Sequence, residues 1–284
     1  MLDTKTKIQY LFKLLDDDSP EIQKILRNSL LENAQELILK KPFYLLQVSK
    51  ELRPLLQQKY QDMHFELVKA AFQQLLSHHL EDIDLEKSVM ILSYWNNPDV
   101  DIPALQHRLD RMAEEIHAHM PFTGHPLAFL DHINYYLFKK YGFHGNSTDY
   151  YNPDNNFIDR VLETRSGIPI SLSVLYILIA RRMGIPILGV PMPAHFIIKF
   201  DNGTDEVFCD PFYKGKIYTR KECLAYLNNA NVIDPLAILR GTTDFQIVFR
   251  MMRNIKLVYS SYKEDRRKVE EIQELLEQLG QFYL

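Results

Sequence analysis

One stretch constrains this chain more than any other. From Ile168 to Met183 it is apolar nearly all round, with Ile170, Leu172, Val174, Leu175, Ile177, Leu178 and Ile179 on every side of a helical wheel. A helix without a polar face has to lie inside a core, and Gly184 is placed to stop it. Other elements must wrap it. Downstream, short strand-like runs cover residues 185–192, 195–200 and 206–212. The end of the chain, 245–280, reads as two amphipathic helices. One carries Ile247, Met251, Ile255, Val258 and Tyr262; the other carries Val269, Ile272, Leu276 and Leu279. Upstream, residues 83–120 are helical on either side of the turn cluster Asn96-Asn97-Pro98-Asp99, with Leu105, Leu109, Met112 and Ile116 forming a stripe. The first 80 residues are helical too. Ile8, Leu11, Phe12 and Leu15 share a face, and Ser19 is placed to cap a helix with Pro20 at its first position and Ile22, Ile25, Leu26, Leu30 and Leu37 along it. That pattern fits a HEAT-type helical pair as well as a plain bundle. The expected class is α+β in three parts: a helical region over 1–80, a mixed core over 81–242 and a helical hairpin over 243–284.

Composition sets the outer limits. At 46% hydrophobic and 25% charged residues, the chain buries enough apolar surface to order itself. With 37 acidic and 33 basic residues, a net charge of -4, no basic face is expected, so nucleic acid is not an expected partner. The basic runs Lys139-Lys140, Arg181-Arg182 and Arg266-Arg267-Lys268 are scattered and read as solvated helix faces. Two cysteines, Cys209 and Cys223, are too few for a disulfide framework, fit a reducing compartment and form no Cys-x-x-Cys pair. Met1 to Leu14 has no signal-peptide core, and the uncharged run Ser166 to Ala180 is too short to cross a bilayer. The expectation is a cytoplasmic protein that does not span a membrane. No cofactor or metal is expected either. The glycines form no phosphate loop. Glu114 and His117 share a helix face that His119 leaves, so they make a lone Glu-x-x-His, and no other histidines show ligand spacing.

The sharpest local signal is Asn202-Gly203 between two apolar runs, a hairpin turn. A two-residue turn there opposes residues whose numbers sum to 405. Lys199 then faces Glu206, Phe196 faces Cys209, and His195 faces Asp210. The spacing thus predicts an imidazole–carboxylate pair at the open end of the hairpin, two of the three members of a nucleophilic site. A structural His–Asp pair at a strand end is the alternative. Cys209 must point to the opposite face of the strand, and Cys223, in Lys221-Glu222-Cys223-Leu224, reads as a packing residue on a helix.

A buried helix ending in Arg-Arg-Met-Gly-Ile-Pro, then a strand, then His195, then Asp210-Pro211 resembles the transglutaminase-like superfamily. The closer resemblance is to its second core family, the N-terminal domain of SirB-type bacterial proteins. The residues that carry it are Gly145-Asn146, Asp149-Tyr150-Tyr151-Asn152-Pro153, Asn155-Asn156, Arg165-Ser166-Gly167-Ile168-Pro169-Ile170-Ser171-Leu172-Ser173, Pro193-Ala194-His195-Phe196 and Asp210-Pro211-Phe212. It covers about residues 80–239. It implies a papain-like, transglutaminase-like core in which the buried helix packs on a small antiparallel sheet. It also implies that the C-terminal hairpin is a truncated tetratricopeptide-like extension docked on that core. In the superfamily a cysteine at the helix start is the nucleophile. By spacing that place falls within a residue or two of Ser171, and this chain has no cysteine there.

Two functions are therefore expected. One is a non-catalytic binding or scaffold protein, a pseudoenzyme that keeps the cleft with His195 and Asp210 and takes a protein or peptide partner. The other is an amide or ester hydrolase with Ser171 as nucleophile, His195 as base and Asp210 as orienter. Against the second, Ser171 at a helix start has the ordinary role of a cap, and Ser173 is expected to bond back to a carbonyl. Asn146, Tyr150, Tyr151 and Asn155 either line a polar cleft beside His195 or close turns with Asx hydrogen bonds. Arg165 either meets an anionic group or pairs with Glu163 or Asp159.

Overall fold

The structure, a computed structural model, describes residues 10–15, 17, 19–32, 49–76, 83–120 and 125–280. Ile8, Leu37 and the His78-His79 pair lie outside the described residues. The chain divides into two compact units, 1–73 and 74–284.

In the first unit, α1 (Pro20–Glu32) and α2 (Arg53–Leu76) are the long helices. Leu11, Phe12, Leu15, Leu26, Leu30, Leu56, Tyr60 and Met63 form one apolar core. Ile25 does not belong to the buried stripe: it is 58% exposed. Ser19 does not cap through its hydroxyl, which donates instead to the Glu21 carboxylate, while its main-chain N–H is held by Asp17. The Gln23 N–H bonds the Ser19 carbonyl, the ordinary first bond of the helix.

The second unit is α+β, as the patterning implies. In chain order it contains α3 (Leu85–Asn96), α4 (Ile102–Ala118), α5 (Pro126–Asn134) running into a π-turn (Tyr135–Lys140), β1 (His144–Gly145), a 3-10 turn (Pro153–Asn156), α6 (Ile158–Thr164) and β2 (Ser166–Gly167). Then come α7 (Pro169–Arg182), β3 (Ile187–Val190), β4 (Ile197–Asp201), β5 (Glu206–Asp210), β6 (Lys216–Tyr218), α8 (Arg220–Asn229), α9 (Pro235–Leu239), α10 (Asp244–Val258) and α11 (Arg266–Gly280). Helices α3 and α4 break at Asn97-Pro98-Asp99 and restart because Asp84 and Asp101 accept main-chain N–H groups of the first turns. Every residue of α7 from Pro169 to Ala180 is buried. The helix ends where Gly184, at φ 69°, takes the left-handed conformation and the Ile185 N–H reaches back to the Ala180 carbonyl.

β3 to β6 form an antiparallel meander. Helix α7 packs on β3 and β4, and α5 packs on β5. Val190, Met192, Ile197, Phe208, Cys223, Leu227 and Leu239 form the cluster joining the sheet to α8 and α9. The fourth strand, β6, has no apolar alternation and was not expected.

The hairpin register differs from the expected one. Ile198 pairs with Cys209, Phe200 with Val207 and Asp201 with Glu206, a sum of 407, so the loop holds four residues and not two. The Asn202 side-chain oxygen accepts the N–H groups of Thr204 and Asp205, and Asp201 accepts that of Gly203. These Asx bonds draw two further residues into the loop. A slip of two keeps every side chain on its face. Lys199 therefore still reaches Glu206, at 3.1 Å on a diagonal, besides Asp201 at 2.7 Å.

The basic runs are not merely solvated. Arg181 grips Asp244 with two bonds at 2.6 and 2.7 Å, and Arg182 bridges Glu86 and Asp110. Lys268 lies 4.0 Å over the Trp95 ring and donates to the Trp95 carbonyl. These contacts join α7 and α11 to their neighbours, which a pattern of charge along one helix does not reveal.

Candidate functional site

His195 and Asp210 meet. His195 Nε2 lies 2.7 Å from Asp210 Oδ2, with the carboxylate 1% and the imidazole 21% exposed. They are not opposed on the ladder. His195 precedes β4 in the turn Pro193-Ala194-His195, where Ala194 adopts φ 53°. That conformation is uncommon for a residue with a Cβ and is held here by its surroundings. Asp210 ends β5. Its Oδ1 accepts the N–H groups of Phe212 (3.0 Å) and Tyr213 (3.3 Å), so Asp210-Pro211-Phe212 is an Asx turn that aims Oδ2 at the imidazole. With Nε2 held by the carboxylate, Nδ1 is the ring nitrogen without a partner among the described residues.

Arg250 of α10 fixes the backbone of this turn. Its guanidinium donates to the carbonyls of Met192 (3.0 Å) and His195 (2.6 Å) and lies 5.3 Å from the Phe196 ring. Burial holds its pKa below the usual guanidinium value. Sequence reading missed this positioning residue, because the α10 stripe identifies only the apolar face on either side of it.

His195 lines two cavities. One, of about 250 Å³, is walled by Tyr150, Tyr151, Asn156, Ile168, Pro169, Ile170 and Arg250. The other, of about 510 Å³, is walled by Asp210, Tyr213, Tyr218, Cys223 and Tyr226. The N-terminus of α7 thus reaches the cavity beside His195 through Ile168, Pro169 and Ile170. Ser171 is not part of that wall. It is 1% exposed. Its single hydroxyl proton goes to the Asn155 carbonyl at 2.6 Å, and Oγ accepts the Ile168 N–H at 3.1 Å. Ser171 is the third residue of α7 and closes half a capping box, since Ile168 has no polar side chain to return the bond. Ser173 does not bond back to a carbonyl; its buried hydroxyl has no partner among the described residues.

The 146–156 segment divides between the two expected roles. Asn146 donates to Asn155 Oδ1 at 3.0 Å, and Asn155 Nδ2 donates to the carbonyls of Asp149 (2.7 Å) and Tyr150 (3.0 Å). Both asparagines close the loop. Gly145 is needed beside them, because a Cβ there would meet the Phe212 ring at 2.6 Å. Tyr150 and Tyr151 do face the cleft. Burial raises the Tyr150 phenol, and Tyr151 stacks on Tyr262 at 3.7 Å. The neighbour that sequence reading did not choose, Asn156, is 1% exposed and lines the cavity, and its Oδ1 has no hydrogen-bond partner among the described residues. Arg165 is elsewhere. It pairs with neither Glu163 nor Asp159; its guanidinium donates to the Tyr141 carbonyl and lines a separate cleft.

Cys209 faces α5, 3.6 Å from Asn134 Oδ1, away from the His–Asp pair. Cys223 packs in the α8 cluster, yet it also borders the larger cavity. Burial pushes both thiols up to about 12, so at neutral pH neither holds the thiolate that reacts. No group of three or more His, Cys, Asp or Glu that could hold a metal ion occurs among the described residues. No helix among them is long and apolar enough to cross a membrane.

Comparison with known proteins agrees with the arrangement. A family model described as transglutaminase-like superfamily matches residues 103–253, which include Ile170, Ser171, His195 and Asp210. F-box only protein 21 of Mus musculus is 40% identical over 131 residues, 43% of this chain and 20% of that protein. A UPF0162 protein of Xylella fastidiosa (strain 9a5c) is 29% identical over 187 residues, 64% of this chain and 66% of that protein. A UPF0162 protein of Vibrio cholerae is 25% identical over 154 residues, 54% of this chain and 57% of that protein. The chain thus spans a fifth of the first relative's length, two thirds of the second's and just over half of the third's. No solved structure matches it. The helix, the hairpin, the His–Asp pair and the family match agree: this chain belongs to the transglutaminase-like superfamily.

Proposed function

We propose that the chain is a non-catalytic member of that superfamily, a binding or scaffold protein whose cleft beside His195 receives an extended segment of a protein partner. The observation that carries this is the wall of the cavity at the start of α7. Ile168, Pro169 and Ile170 stand beside His195, and the hydroxyl of Ser171 is engaged by the Asn155 carbonyl. An imidazole and its carboxylate activate a nucleophile only if one lies within hydrogen-bond reach. The rest of the wall suits recognition. Tyr150 and Tyr151 are residues of the kind that anchor interfaces. The Asn156 side-chain oxygen in that wall is an acceptor with no partner among the described residues. A cavity of about 250 Å³ takes one or two side chains of such a segment.

The second reading, an amide or ester hydrolase with Ser171, His195 and Asp210, requires Ser171 to leave its two backbone bonds and turn to the cleft. One experiment separates the two. The native protein is incubated with a fluorophosphonate probe, and adducts are located by peptide mass spectrometry. The binding reading predicts no adduct on Ser171. An adduct on Ser171 that disappears in His195→Ala would establish the hydrolase instead.

A further inference from the structure

Arg108 and Arg111 stand one turn apart on α4, and Arg165 lies at the end of α6. Together they line a cleft of about 310 Å³ with Tyr141, Phe143 and Glu115, away from both cavities that His195 lines. Two of the guanidiniums are pinned. Arg108 donates to the Leu162 carbonyl, and Arg165 donates to the Tyr141 carbonyl and lies over the Phe143 ring. Arg165 also holds φ 62°, a left-handed conformation that aims this side chain from the end of its helix. Arg111 is exposed and has no hydrogen-bond or ionic partner among the described residues.

The carboxylates nearby do not balance these charges. Glu115 is bound by Lys140 and by the Tyr141 hydroxyl at 2.6 Å, and Glu163 is bound by Arg160. Three cations thus share one cleft in a chain whose net charge is -4. Burial, followed by the like charges of Arg165 and Arg111, depresses the pKa of Arg108 against a smaller opposing pull from Glu163. Like charges gathered this way are unfavourable until an anion enters. Each guanidinium presents a planar fork that matches two oxygens of a phosphoryl group, and pinning two of them in advance lowers the ordering cost of binding. A carboxylate carries one charge and two oxygens against three forks. A phosphomonoester carries nearly two charges and three oxygens.

We infer that the Arg108–Arg111–Arg165 cleft is a binding site for a phosphoryl group, supplied by a phosphorylated side chain of a protein partner or by a free phosphomonoester. The test is calorimetric titration of the full chain at fixed ionic strength. The probes are inorganic phosphate, a phosphoserine peptide and the same peptide without phosphate. Saturable binding of phosphate or of the phosphopeptide, with none by the plain peptide, is expected. Binding of the phosphopeptide well above that of phosphate assigns the source to a protein, and equal affinities assign it to a small phosphomonoester. Arg111→Gln removes a group that makes no internal bond. It should keep the wild-type melting temperature and weaken binding about tenfold or more. Arg266→Gln, at an exposed arginine of α11 outside this cleft, should bind as wild type does. No saturation at millimolar phosphate or phosphopeptide would overturn the proposal, and so would wild-type affinity in Arg111→Gln.

Discussion

At the scale of single residues, the site rests on how Asp210 distributes its oxygens. One holds His195 and the other holds two main-chain N–H groups, so the carboxylate shapes the turn as well as the imidazole. Asp210→Ala leaves those N–H groups without their acceptor and is expected to cost about 2–4 kcal/mol. Asp210→Asn keeps an acceptor and should cost roughly half as much. Urea denaturation of the two variants checks the order. The cysteines give a pH-dependent counterpart. Both thiols are raised to about 12 in the folded protein, against roughly 8.5 in an unfolded chain. For an acid raised by folding, the contribution to stability is complete below the unfolded value and is lost as pH climbs toward the folded one. Iodoacetamide should therefore leave Cys209 and Cys223 of the native protein unmodified at pH 8 and alkylate both in urea. Rapid native alkylation of Cys223 would place a reactive thiol beside His195. The sequence pointed to the His–Asp pair through a ladder register that the structure replaces: His195 lies in the turn before β4, and the Asx turn at Asp210 brings the carboxylate to it. The sequence did not separate Asn155 from Asn156. Adjacent residues of one type are told apart only by the path of the 3-10 turn that holds them.

At the scale of elements, α7 and its entry explain most of the site. The helix was legible because nothing but burial suits its composition. Its start was legible to within a residue, which is not enough to say which side chain faces His195. Ile170 and Ser171 are neighbours, but their side chains diverge by about 100° around the helix axis. The structure turns the isoleucine to the cleft and the serine to the backbone. Ser171→Ala removes two buried backbone bonds and is expected to cost about 1–2 kcal/mol in thermal or chemical denaturation. On the binding account the same variant leaves affinity for a cleft ligand unchanged. The hairpin shows the opposite limit. Asn-Gly is a strong turn signal, but Asp201, Asn202 and Asp205 flank it, and their side-chain bonds favour a four-residue loop.

At the scale of the second compact unit, the C-terminal hairpin is part of the core. Met251, Met252, Ile255 and Val258 of α10 and Ile272, Leu275 and Leu279 of α11 are buried. Trp95 of α3 is held by the Glu271 carboxylate at 2.8 Å and by the edge of Tyr259. Truncation after Leu239 exposes these surfaces and also frees the His195 turn from Arg250. The shortened chain should lose its cooperative thermal transition and become sensitive to limited proteolysis. Such contacts, 176 positions apart for Trp95 and Glu271 and 55 for Arg250 and His195, leave no local pattern in a sequence. The proposed binding role comes down to one geometric claim: at the start of α7 it is Ile170, and not Ser171, that lines the cavity beside His195. The most direct measurement is the rate of iodoacetamide alkylation of Ile170→Cys and Ser171→Cys across pH, each with and without His195→Ala. The account predicts a thiol at 170 that reacts quickly near pH 6–7, as a cysteine paired with an imidazolium does, and slows when His195 is removed, with a thiol at 171 that stays inert. Fast, His195-dependent alkylation at 171 with an inert thiol at 170 would contradict it.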